Sequence, residues 1–404
     1  MFPFRKHMNQ LLNQQYQPLQ STKLAAVGVS LLSFVLLIPS TTLSAEPRSE
    51  TAEKVLTFHN PSSFQRDEVV EVKGSELCKA LGVKAGTSVV VKDKRGNEVI
   101  SQWDHDGNLL VDVCVRPMST TTYTVAVGQP SKYRQWVYGR LVPERKDDIA
   151  WENDRGAYRI YGPALEKTGE RSFGTDVWVK NTPDLVINDR YAGDEKGVSY
   201  HVDHGTGYDP YDVGPTLGCG APGLLIDGKL KMPYCWKTYK ILDNGPLRFS
   251  VEVRYGNEHR VISLDKGSNF NRMTVWYDQL PAGARLATGV VLHDADSTTV
   301  VLGKDYVQYA DPTDNRDANN CQVFVATLFP DGVDSTFVLP LDHPDGIRYA
   351  HALGARPLKS GERYTYYFGS AWSRYDVRTQ REWQLRIDET LESLRHPVNY
   401  MFSK

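Results

Sequence analysis

The stretch LRFSVEVRY, residues 247–255, decides the fold class. Leu247, Phe249, Val251, Val253 and Tyr255 occupy alternate positions, with Arg248, Ser250, Glu252 and Arg254 between them. Successive side chains of an extended chain point to opposite faces, so this is a strand with one apolar and one polar face. A helix would scatter the same five apolar residues around its circumference. The two-residue period recurs in TTYTVAVG (121–128), in ERYTYYFG (362–369) and around Gly96 in SVVVKDKRGNEVISQW (88–103). Asp106-Gly107, Asp227-Gly228 and Asn244-Gly245 punctuate these runs as turn pairs, because both residue types tolerate the left-handed backbone of tight hairpins.

Helical patterning is nearly confined to two places. Ser75 to Leu81 reads as one or two turns with Ser75 as N-cap, and Thr379 to Leu394 places Trp383, Ile387, Leu391 and Leu394 on one stripe before Pro397. The expected class is mainly β, and the length suits two domains or one large β domain with an appendage. We expect a signal peptide at 1–45, a small N-terminal β-sandwich at 46–130 and a linker at 131–148 containing SKYRQW and VPERKDD. A large antiparallel β-supersandwich follows at 149–376, then a short C-terminal helix at 377–404 packed on it.

The signal peptide is read from Arg5, Lys6 and Lys23, which precede the apolar run Leu24 to Ile38 and the small, polar stretch ending at Ala45. That run is short for a membrane span, which needs about 20 residues. An uncleaved anchor is the alternative. No cysteine stands near Ala45, so a lipoprotein is not expected, and the chain is read as exported, to the periplasm, without stable membrane insertion after cleavage. A formal net charge of -2 with interspersed signs provides no basic stripe, which argues against nucleic acid as a partner. Nothing in the sequence sets the oligomeric state. All five cysteines fall in the exported part; Cys219 and Cys235 either close a short loop or remain buried thiols.

Residues 200–220, YHVDHGTGYDPYDVGPTLGCG, hold two histidines, three aspartates and five glycines with few aliphatic residues. Such a segment contributes little to a core, and loops on a rigid sheet are where binding chemistry concentrates. Further strings surround it: NPSSFQRDEVVEV (60–72), WENDRGAYRIYGPAL (151–165), GTDVWVK (174–180), LDNGPLRF (242–249), ISLDKGSNFN (262–271), YADP (309–312), HALGA (351–355) and YYFGSAW (366–372). Together they resemble the bacterial domain-of-unknown-function family numbered 4861, over nearly all of the exported chain. The resemblance implies an exported protein of polysaccharide-utilisation gene sets, acting on a polysaccharide or oligosaccharide, and it assigns no catalytic residue. In size and strand pattern the larger block is also similar to the galactose-mutarotase-like supersandwich of sugar epimerases, glycoside hydrolases and polysaccharide lyases, an architecture that does not fix a reaction.

The favoured reaction is β-elimination beside a uronic acid, which needs a base, a group that neutralises the carboxylate and an acid for the leaving oxygen. His201 or His204 is the expected base, Tyr200 or Tyr208 the acid, and Arg155 or Arg159 the carboxylate clamp. Trp151, Trp178 and Trp372 are expected to offer ring faces to a sugar, with Glu152, Asp154 and Asp203 beside them. Paired carboxylates among Glu152, Asp154, Asp176 and Asp203 would instead serve a hydrolase. An epimerase and a non-catalytic glycan-binding protein complete the alternatives. His293 and His351 are two further acid-base candidates. No strong metal motif occurs; His201 and Asp203 with Asp209 or Asp212 would be the ligands of a metal, and a structural calcium ion is the one cofactor the oxygen-rich loop leaves open.

Overall fold

The computed structural model describes residues 53–296, 298–312 and 321–403, so the expected signal peptide lies outside the described residues. The protein is mainly β, built of antiparallel sheets. In the N-terminal sandwich, Glu53–Asn60 lies in a five-stranded sheet between Asn399–Ser403 and Ser119–Val127. A second sheet of Arg66–Val72, Leu109–Val115 and Ser101–Trp103 closes over it. Leu56, Phe58, Val72, Val111, Val113 and Val125 fill the space between. The helix Gly74–Leu81 adds Leu77 and Leu81 to this core. Ser75 lies inside its first turn, not at the cap: Lys73 occupies that position with no side-chain bond.

The remaining sheets form a supersandwich. Its eight-stranded sheet runs, edge to edge, through Thr238–Asn244, Arg248–Tyr255, Glu258–Asp265, Phe270–Tyr277, Tyr364–Trp372, Val323–Leu328, Tyr306–Asp311 and Val301–Leu302. Phe249, Val251, Val253 and Tyr255 point from the opening stretch into the main core, as their alternation requires. Two smaller sheets supply the opposing side of that core. One has five strands: Lys229–Lys231, Cys219–Ile226, Arg285–Leu292, Ala350–Pro357 and Ser335–Pro340. The other has four: Asp176–Val179, Gly156–Ile160, Asp148–Glu152 and Tyr138–Val142. Asp227-Gly228 makes the two-residue turn between Ile226 and Lys229, with φ of 49° and 75°, the pair of positive angles a type I′ turn demands.

The outer face of the eight-stranded sheet is also covered. The helix Gln380–Arg395 lays Trp383, Ile387 and Leu391 against Phe270, Phe324 and Leu328, with Trp383 stacked on Phe270 at a centroid distance of 5.0 Å. Thr379 caps the helix through a bond from Glu382 N at 3.2 Å. At the other end, Arg66 of the N-terminal sandwich donates to the carbonyls of Ser393 and His396, two of the groups a helix C-terminus leaves unpaired. The chain then returns as Asn399–Ser403, which pairs with Glu53–Asn60. The 377–404 segment is therefore a helix on the eight-stranded sheet followed by a strand of the N-terminal sheet, a correction to the expectation of a helix alone. The expected linker 131–148 likewise contains a strand, Tyr138–Val142, because it forms the edge of the four-stranded sheet. Among the described residues no helix is long and apolar enough to cross a membrane.

Candidate functional site

The four-stranded sheet separates its residues by period two. Ile149, Trp151, Tyr158, Ile160, Val177 and Val179 enter the main core. Asp148, Glu152, Arg159, Asp176 and Lys180 lie on the opposite face, and all five are buried. A polar face is buried only if something else supplies partners, and here residues 187–211 do so. Glu152 bonds Lys180 Nζ at 2.7 Å and accepts Val186 N and Ile187 N at 2.7 and 2.8 Å, so one carboxylate neutralises a lysine and holds the start of the helix Ile187–Asp194. Burial lowers Lys180 from its ordinary value.

Arg159 organises the other half of this face. Its Nε donates to Asp176 Oδ2 at 2.8 Å, Nη2 to Asp209 Oδ2 at 3.0 Å and Nη1 to the Tyr200 hydroxyl at 3.1 Å, while Asp148 Oδ2 lies 3.5 Å from Nη1. Arg145 Nε donates to the same Tyr200 oxygen at 3.0 Å. Three carboxylates around one guanidinium cannot all be well compensated. Burial pushes Asp148 up to about 7 despite Arg159 and Arg145. Trp178 stacks on Tyr200 at 4.8 Å and donates to Asp176 at 3.0 Å.

The loop rises from this floor to the surface. Arg190 pins it by donating to Val179 O and Thr206 O, each at 2.9 Å. Gly207 has φ of 94°, and a Cβ there would lie 2.1 Å from Val179 O, so only glycine lets the loop cross the strand edge at this point. Asp203 accepts Gly205 N and Gly207 N through Oδ1, and its Oδ2 faces Arg374 at 3.5 Å. His201 is half exposed, with Nδ1 3.3 Å from the Asp209 carbonyl oxygen, 3.5 Å from its carboxylate, and its ring 4.7 Å from that of Tyr200. If Nδ1 carries the proton and directs it at Asp209, the ring's lone pair is on Nε2.

Beyond Tyr208, whose ring meets the edge of Trp372 at 5.9 Å, the loop reaches a second cluster. His293 Nδ1 lies 2.6 Å from Asp311 Oδ2, and its Nε2 lies 2.6 Å from the Asp212 carbonyl oxygen. Burial opposes its charge, but Asp311 and Asp212 raise His293 above the ordinary histidine value. His351 accepts Leu217 N at 3.2 Å, and burial with the His293 charge holds it down to about 3.

Residues 58–399 match the family described as Domain of unknown function (DUF4861). The chain belongs to this family. It is 26% identical over 389 residues to "Uncharacterized protein P7" of Formosa agariphila, covering 89% of this chain and 96% of that protein. Among solved structures it is similar to a glycosyl hydrolase family 38 protein from Enterococcus faecalis, at TM-score 0.45 and 10% identity, over 87% of this chain and 48% of that one. The chain thus spans about half the length of that protein. It is also similar to the periplasmic domain of YidC from Thermotoga maritima, at TM-score 0.35 and 9% identity, over 64% of this chain and 95% of that one.

In this DUF4861 protein the residues expected to converge do so only in part. Tyr200, His201, Arg159 and Trp178 meet around Asp209 and Asp176. His204 is exposed and bonds Ser199 O, and Tyr208 is buried against Trp372. Arg155 goes elsewhere: it donates to Gly267 O and to Asp376 at 2.5 Å, beside Asp154, which accepts Gly267 N. Arg159 is saturated by its carboxylates and cannot clamp a substrate. The three tryptophans expected to present open faces are buried: Trp151 donates to Asn271 and stacks on Phe249, Trp178 is covered by Tyr200, and Trp372 by Tyr208. Glu152 is likewise inaccessible, held by Lys180 and a helix start.

The DUF4861 loop does not offer the donor set expected of a calcium site. Asp209 is paired with Arg159 and Asp212 with Arg348, and among the described residues no group of three or more His, Cys, Asp or Glu is disposed to hold a metal. Cys219 and Cys235 are both buried and are not joined to each other. Sequence reasoning missed Arg145, Asp148 and Arg374. The first two stand in VPERKDD, a charge run that reads as solvated linker; the one signal for them is that Asp148 opens the alternation continued by Ala150 and Glu152.

Proposed function

We propose that the protein is an exported carbohydrate-active enzyme that cleaves a uronate-containing glycan by β-elimination, with His201 as its proton-transfer group. The observation that carries this reading is the half-exposed His201, oriented by Asp209 and backed by Tyr200, at the mouth of a buried charge network. A base held by a carboxylate and exposing its second nitrogen is the arrangement proton abstraction needs. His201 Nε2 takes the proton on the carbon next to the uronate carboxylate; those electrons form the new double bond as the bond to the glycosidic oxygen breaks. The same nitrogen then protonates that oxygen.

Arg374, close to half exposed and facing Asp203 two positions along the loop from His201, would meet the substrate carboxylate in the role expected of Arg155 or Arg159. Tyr200 and Asp209 position the imidazole. Export rests on the basic and apolar N-terminal segment, and the sugar class on the supersandwich and the loop chemistry.

The test is ultraviolet absorbance of the chain lacking residues 1–45 on a panel of uronate polysaccharides and oligosaccharides. A rising absorbance from a conjugated double bond, lost in His201→Ala and weakened in Arg374→Ala, is the expected result. New reducing ends without that absorbance would replace elimination by hydrolysis.

A further inference from the structure

Away from the loop, the N-terminal sandwich, the eight-stranded sheet and the C-terminal helix border an open-sided cavity of ≈ 540 Å³. Its walls come from Phe64–Glu71, Ser263–Arg272, Tyr367 and the helix face from Arg386 to Leu394. The size falls in the range of small-molecule sites, roughly 300–1,000 Å³. Six cations line it: Arg66, Arg155, Arg248, Lys266, Arg272 and Arg386. Five of them are matched by carboxylates. Arg66 pairs with Glu68, Arg248 with Asp265 and Glu71, Arg272 with Glu71, Lys266 with Asp112 and Arg155 with Asp376.

Arg386 differs from all of these. Among the described residues no carboxylate lies within ion-pair distance of it, although Asp376 and Glu389 are near enough to act on its charge; its Nη1 donates to Asn269 Oδ1 at 2.8 Å, and the amide nitrogen of Asn269 is turned toward Asp376 and Ser370 O. Burial and the neighbouring Arg155 charge hold its guanidinium below the ordinary arginine value. A half-buried guanidinium satisfied by one neutral amide retains donors for a planar anion, and a carboxylate matches that fork. Tyr367, Ser393 and Thr390 place hydroxyl-bearing side chains beside the apolar Phe64, Phe270 and Val398, a mixed wall that suits a sugar ring with one apolar face and polar edges.

We propose that this interdomain cavity is a second binding site, taking an acidic mono- or disaccharide whose carboxylate pairs with Arg386. The site is separate from the loop of His201, and no wall residue named here belongs to that loop. It would let the N-terminal sandwich and the large domain hold one glycan end between them.

The test is isothermal titration calorimetry of the chain lacking residues 1–45, with D-glucuronate and with neutral glucose. Both probes are monosaccharides with no linkage to cleave, so the readout does not depend on turnover, and its failure leaves the elimination reading standing. Glucuronate is expected to bind and glucose not to bind. Arg386→Gln is expected to weaken glucuronate about tenfold or more, the loss of one charge-assisted pair, with Arg386→Lys intermediate. Ser393→Phe, which places a ring in the cavity and leaves Arg386 in the sequence, is expected to abolish binding and guards against a folding defect in the arginine variants. Absence of glucuronate binding, equal binding of glucose, or wild-type affinity in both Arg386→Gln and Ser393→Phe would overturn the proposal.

Discussion

Replacing Asp148 by Asn is expected to stabilise the protein most at pH 8, by less than half as much at pH 5, and little below pH 4. The carboxyl is fully buried; its Oδ2 receives the Tyr191 hydroxyl at 3.4 Å and faces Arg159 at 3.5 Å, while Oδ1 has no hydrogen-bond partner. Arg159 is already shared with Asp176 and Asp209, so what it offers a third carboxylate is less than the cost of burying that charge. The group therefore rises from its ordinary 3.8 to about 7. Between those two values the folded protein keeps a proton that the unfolded chain has released, so stability falls as pH rises through the window. A shift of about three units at about 1.4 kcal/mol each sets an upper figure of about 4 kcal/mol, lost in full above pH 7. Asn keeps the shape and has no such proton to lose. Urea unfolding followed by tryptophan fluorescence at pH 5, 6, 7 and 8 would show the variant gaining on the parent as pH rises. A variant that instead loses ground with rising pH would show that Asp148 is charged and needed by Arg159, and would refute the reasoning.

Three further outcomes are expected. Trp383→Ala removes the ring stacked on Phe270 and should lower unfolding free energy by about 3–5 kcal/mol, read from the urea midpoint; a loss below about 1 kcal/mol would mean the helix is peripheral. Gly207→Ala places a methyl against Val179 O at a positive φ, so it should cost about 1–3 kcal/mol and slow glycan turnover by displacing His201, whereas an unchanged rate would separate the loop crossing from the chemistry. His351 is held down to about 3 in the folded protein while the unfolded chain takes up its proton near 6.5, so stability declines as pH falls through that interval. His351→Gln, which keeps an acceptor for Leu217 N, should flatten the decline between pH 6 and pH 4 in the same unfolding assay.

Much of the candidate site was readable as a face and not as an environment. Alternation places Glu152 and Arg159 on the side opposite Trp151 and Tyr158, and the loop's glycines mark a backbone that must turn tightly. Neither says that Arg159 would meet three carboxylates, two of them from Asp148 and Asp209, which stand well apart in the chain. Arg155 and Arg159 illustrate the limit. Both follow Trp151 within one hairpin, yet one turns to Asp376 and Gly267 and the other to the buried network.

By itself the sequence determined the strands, their inward faces, the capped helix with Trp383, Ile387 and Leu391 on its buried stripe, and the position of a polar, glycine-rich loop. These depend on local periodicity and turn chemistry, which a short window contains. Tertiary structure alone decided which polar faces are buried and who neutralises whom. Arg248 shows why: its alternation marks it as outward, and outward proved to be toward Glu71 and Asp104 of the N-terminal sandwich. Period two fixes a side chain's side of the sheet, while its dielectric surroundings and partners come from segments distant in the chain that pack against that side.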